Sequence, residues 1–105
     1  MTLFNNPLDI PLAGEAGAAL AHGGRRLRKT LDALRRYDAA GTIAGVSSRD
    51  ATERNELVAE AGDALWCYVV HREILGLLDI EYIISEYAVP AEVRKSMAPR
   101  RRSGG

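Results

Sequence analysis

Between Leu57 and Leu78 the chain reads LVAEAGDALWCYVVHREILGLL. Spacings of four and three pick out Leu57, Ala61, Ala64, Tyr68, His71, Leu75 and Leu78 as one seam down a helix. Its centre, Ala64–Val70, is apolar on every side, because Leu65, Trp66, Cys67, Val69 and Val70 fill the remaining faces. A helix wet on one face does not carry such a centre, so this one is expected to be covered on most sides. A second seam, Ala13, Ala16, Leu20, Gly24, Leu27, Leu31 and Leu34, predicts a helix from about Leu12 to Ala40. Gly23 and Gly24 lie inside it, where two glycines cost a helix about 2 kcal/mol relative to alanine. That cost implies a break, or close approach by something bulky. Gly41 suits a left-handed stop to this helix, and Ser47 or Ser48 suits an N-cap for the next, with Asp50, Glu53 and Glu56 near its positive end.

Two long helices joined by a short connection, Thr42–Ser47, pack antiparallel. The seams then set Leu31 against Leu57, Leu27 against Ala61, Leu20 against Tyr68 and Ala13 against Leu75, with Gly23 and Gly24 beside Ala64–Trp66. The charges point the same way. Arg25, Arg26, Arg28, Lys29, Arg35 and Arg36 make the first helix basic, while Asp50, Glu53, Glu56, Glu60, Asp63, Glu73 and Asp79 make the second acidic. In this register Arg25–Lys29 is level with Glu60 and Asp63, and Arg35–Arg36 with Glu53. Each exposed pair contributes about 0–1 kcal/mol, and together they favour one alignment over a slipped one.

Outside the hairpin the pattern is shorter. Met1–Pro11 holds two prolines and no periodicity and is read as an extended arm whose Leu3, Phe4, Leu8 and Ile10 lie on a helical surface. The chain turns near Gly76–Asp79, Asp79 is an expected N-cap, and Ile80–Ala88 forms a short helix with Ile80, Ile83, Ile84 and Tyr87 on its apolar side. Pro90 opens a last helix, Ala91–Met97, whose buried face is Val93 and Met97. The expected architecture is all-α: a long antiparallel hairpin plus two short C-terminal helices in one domain over residues 1–98, with 99–105 a disordered basic tail.

Composition narrows the class. One domain fits in 105 residues, 47% hydrophobic and 27% charged, as in an ordinary folded chain. Fourteen basic and fourteen acidic residues leave no net field to steer the chain to nucleic acid or membrane. Cys67 has no second cysteine to bond and sits in the most apolar stretch, so it is expected as a small buried thiol. No apolar run approaches the roughly 20 residues that span a bilayer, and no secretory signal pattern stands at the start, so a cytoplasmic protein is expected.

Candidate chemistry is thin. His71 lies on the central seam near Arg72 and Glu73, and Glu15 and His22 fall nearby in the expected register, which would make a ligand or metal site in the bundle interior. The Glu-x-x-His pairs of di-iron bundles are absent, however, because Tyr68 and Ala19 stand three residues before His71 and His22. A histidine at the core edge, with Arg72 ion-paired to Glu15 or Glu73, is the reading favoured. No phosphate-binding glycine loop and no histidine beside Cys67 supports nucleotide or nucleophilic chemistry, so neither an enzyme nor a cofactor is expected. Nucleic-acid contact would use Arg25, Arg26, Arg28 and Lys29, the tail Arg100, Arg101 and Arg102, and the two short helices as a helix-turn-helix carrying Arg94 and Lys95. Glu86 and Glu92 flank that element and disfavour it. The remaining feature is an unfilled apolar stripe, Ala59, Trp66, Val70 and Leu77, which pairing of two hairpins into a four-helix bundle would bury. A self-associating, non-catalytic interaction or scaffold module, with an unidentified protein as a further partner, is the function expected.

The run LWCYVVHRE at 65–73, GL at 76–77 and EYAVPAEVRKSM at 86–97 resembles a family of short uncharacterised bacterial helical proteins. The resemblance covers the C-terminal half. It implies a helical bacterial cytoplasmic protein and brings no activity or site residues with it.

Overall fold

The computed structural model describes residues 9–44 and 51–99, with side chains over 14–41 and 51–99. Four helices follow in order: α1 (Asp9–Ala44), α2 (Ala51–Ile74), α3 (Ile80–Glu86) and α4 (Ala91–Lys95). No strand occurs among the described residues. The all-α hairpin with two short C-terminal helices is therefore what forms. Residues 1–8 of the expected arm, the Ser47/Ser48 cap and residues 100–105 of the tail lie outside the described residues.

Several boundaries differ from the sequence pattern for physical reasons. Residues 9–11 are helical rather than extended. Pro11 falls in the first turn, where its missing N–H takes no intrahelical bond. Gly41 does not stop α1, which continues to Ala44. Glycine permits the left-handed conformation but does not impose it, and among the described glycines only Gly76 adopts it, at φ 73°. There Gly76 N–H bonds to Glu73 O at 3.0 Å and Leu77 N–H to Arg72 O at 2.8 Å, which closes α2 in a Schellman arrangement. Asp79 then caps α3 by accepting from Tyr82 N–H at 3.1 Å, as its position before Ile80 suggests.

The core draws Leu27, Leu31 and Leu34 from α1, Val58, Ala61, Ala64, Leu65 and Tyr68 from α2, and Ile83, Val89 and Val93 from the C-terminal segment, each at most 8% exposed. α2 thus buries two faces. Its seam of Ala61, Ala64 and Tyr68 meets α1, while Val58, Gly62 and Leu65, spaced four and three apart, turn toward α4. Gly62 makes that second contact close, because a Cβ built there would stand 2.9 Å from the Ser96 carbonyl carbon. Cys67 lies on neither of these faces. It is consequently exposed, with Arg26 Nη1 at 3.8 Å from its sulfur, and the expected buried thiol is corrected.

The register also needs correcting. Gly23 and Gly24 face the Tyr68 ring, their would-be Cβ atoms 3.3 and 3.5 Å from it, where the seams had placed Leu20 opposite that tyrosine and the glycines beside Ala64–Trp66. The slip is about three residues, close to one helical turn, so both seams still face inward and the apolar pattern alone cannot resolve it. The need to seat a tyrosine ring against glycine does. Arg26 pairs with Asp63 at 2.6 Å, within the charge levels expected. Arg35 does not reach Glu53. It pairs with Asp32 at 3.0 Å and donates to the carbonyls of Tyr87 and Ala88 at 2.8 and 3.0 Å. Arg54 clamps Asp38 at 2.8 Å and Glu92 at 2.7 Å, joining α1, α2 and α4.

Candidate interaction surface

The largest exposed apolar side chains gather where α2 ends and α3 begins. Ile74 is 74% exposed, Leu77 51%, Leu78 40% and Tyr82 51%. The local fold produces this exposure. The Gly76 stop ends α2 before Leu77 can continue its outer stripe or Leu78 its seam, and the Asp79 cap turns α3 away. Arg72 holds the turn. Its Nε donates to Leu77 O at 3.0 Å, and its guanidinium lies 5.7 Å from the Tyr68 ring centre and 5.8 Å from that of Tyr82. The ion pair expected for Arg72 with Glu15 or Glu73 is replaced by these carbonyl and aromatic contacts.

The stripe read from the sequence is redistributed by this geometry. Ala59, Trp66 and Val70 are half-buried on α2, and Leu77 lies past the helix end, exposed. Ile74 continues the line at four residues from Val70 and eight from Trp66, and it is the residue that sequence reasoning passed over. That helical spacing was the available signal. The seam spacing places Leu78 on the buried side, and the helix stop removes it.

The basic residues divide. Arg26 is engaged with Asp63, which raises its pKa chiefly through that hydrogen bond, and Arg94 pairs with Glu81 at 3.1 Å. Arg25, Arg28 and Lys29 are exposed, with Arg28 stacked 4.8 Å over the Tyr87 ring. Arg100, Arg101 and Arg102 lie outside the described residues. α3 and α4 span 7 and 5 residues, and Arg94 on the second is committed to the first by its ion pair. His71 is half-buried and His22 exposed, and no group of three His, Cys, Asp or Glu able to hold a metal exists among the described residues. Glu15, His22, His71 and Glu73 therefore do not group as a metal site.

Tyr68 and Tyr87 pack edge to face at 5.6 Å, with their hydroxyls 3.5 Å apart. Burial first, and the bond to Tyr68 second, push the Tyr87 phenol up to about 12. Gly24 makes room for this pair, since a Cβ there would come within 2.7 Å of the Tyr87 hydroxyl.

A long hairpin, clasped at its middle by two short helices and apolar at one end, defines a small all-helical protein without a recognisable reaction centre among its described residues. The chain belongs to a family of unknown function, DUF6665, whose model matches residues 29–103. That match is wider than the C-terminal half, taking in the later part of α1 and all of α2, α3 and α4. No curated protein and no solved structure matches the chain. No helix among the described residues is long and apolar enough to cross a membrane.

Proposed function

We propose that the protein is a non-catalytic interaction module that self-associates through the apolar end of its hairpin. The observation that carries this reading is the exposure of Ile74, Leu77, Leu78 and Tyr82 within nine residues of chain, next to half-buried Trp66 and Val70. Four large apolar side chains concentrated at one end form the kind of patch that soluble monomers seldom leave open. A second copy supplies the matching surface through a two-fold axis, each patch facing its own equivalent. Burial of four such side chains on each partner, at about 25 cal/mol per Å² of apolar area, provides the driving force.

Light scattering on a sizing column over a range of concentrations tests this. The expected mass is about twice the chain's 11.4 kDa. Ile74→Lys combined with Leu77→Lys should return it to the monomer with helical circular dichroism unchanged, because both side chains are exposed within the chain. A wild-type mass of one chain at every concentration would overturn the proposal.

A further inference from the structure

A groove of about 410 Å³ runs beside α1 where Tyr87 closes α3, apart from the apolar end. Gly17, Leu20 and Gly24 form its floor, Tyr68 and Tyr87 its wall, and Arg25 and Arg28 its rim. Its polar chemistry is one-sided. Neither Arg25 nor Arg28 has a carboxylate partner among the described residues, and no carboxylate lines the groove. Arg28 is already held in place by the Tyr87 ring. The Tyr68 hydroxyl accepts from Arg72 Nη1 at 3.3 Å and from the Tyr87 hydroxyl at 3.5 Å, which leaves the Tyr68 proton to be donated.

Donors without acceptors above an apolar floor call for a ligand that is anionic at one end and apolar at the other. We propose that this groove binds a small amphipathic carboxylate, its charged group between Arg25, Arg28 and the tyrosine hydroxyls and its apolar body on the Gly17–Leu20–Gly24 floor. The volume lies at the lower end of small-molecule sites. Two guanidiniums suit one carboxylate. A polyphosphate would gain nothing from the floor.

Phenylacetate, with phenylacetamide as its neutral counterpart, tests the assignment by amide chemical shifts of the full-length protein. Saturable shifts are expected at Gly17, Gly24 and Tyr87 with phenylacetate, and binding of the amide should be weaker by about tenfold or more. Arg28→Gln should weaken phenylacetate by a similar factor. Gly17→Leu places its side chain where a Cβ meets nothing within 4 Å, so it should block the floor while the melting temperature is maintained. The proposal is overturned by equal binding of the amide, by shifts centred on Ile74 and Leu77, or by indifference to Gly17→Leu. Absence of saturation by about 10 mM also overturns it. So does binding of duplex DNA that needs Lys29 and Arg36 and ignores Gly17→Leu, since that would assign these cations to a polyanion.

Discussion

Gly62→Ala separates two effects that usually travel together. In an unconstrained helix the change stabilises by about 1 kcal/mol through propensity. At position 62 the added methyl would meet the Ser96 backbone, with the carbonyl carbon 2.9 Å and the Ser96 Cβ 3.1 Å away. Backbone cannot swing aside as a side-chain tip can, so α4 must lift from α2. The lift exposes Val93, which is fully buried, and loosens Met97, which packs on the core. Re-exposing a valine and part of a methionine costs roughly 3–4 kcal/mol. After the propensity gain, the net loss should be about 2–3 kcal/mol. Urea unfolding followed by circular dichroism measures it, with the slope checked for two-state behaviour. Gly14→Ala and Gly17→Ala are the controls. Their new methyl groups meet nothing within 4 Å, and each should stabilise by about 0.5–1 kcal/mol. If Gly62→Ala were as stabilising as the controls, the close packing of α4 on α2 would be refuted.

Two further outcomes follow from the caps and ion pairs. Ala88 sits at φ 51° and is exposed, so Ala88→Gly should relieve left-handed strain and raise stability by about 0.5–1 kcal/mol in the same urea assay. The Arg54 hydrogen bonds hold the Glu92 carboxyl below its ordinary value of 4.5. A depressed folded pKa means that Glu92 stabilises above that value and that its contribution disappears as pH falls through the folded pKa. Acid titration of the melting temperature should therefore show a decline beginning near pH 4.5 that is shallower in Glu92→Gln, with the two curves parallel above about pH 6.

The ionic clamp and the exposed patch differ in how far they could be read from the chain. Arg26 with Asp63 follows from a basic helix facing an acidic one. Arg35 bonding to the carbonyls of Tyr87 and Ala88 does not, because it depends on where α3 ends in space. Leu77 was legible as exposed apolar surface. Ile74, Leu78 and Tyr82 were not, since their exposure depends on which residue ends α2 and how α3 leaves it. The Tyr68–Tyr87–Arg28 arrangement joins three separate elements, and no local spacing announces it.

By itself the sequence determined the all-helical class, the antiparallel hairpin, the Asp79 cap and most of the core. Each of these rests on short-range periodicity or on the conformational limits of single residues. Tertiary structure alone decided the register of α1 on α2, the close seat of Ser96 on Gly62, the exposure of Cys67 and the grouping of Ile74, Leu77, Leu78 and Tyr82 at one end. A slip near one turn leaves every apolar seam facing inward, so hydrophobic pattern cannot choose between neighbouring registers. Only the fit of a tyrosine ring against glycine, and of one backbone against another, makes that choice.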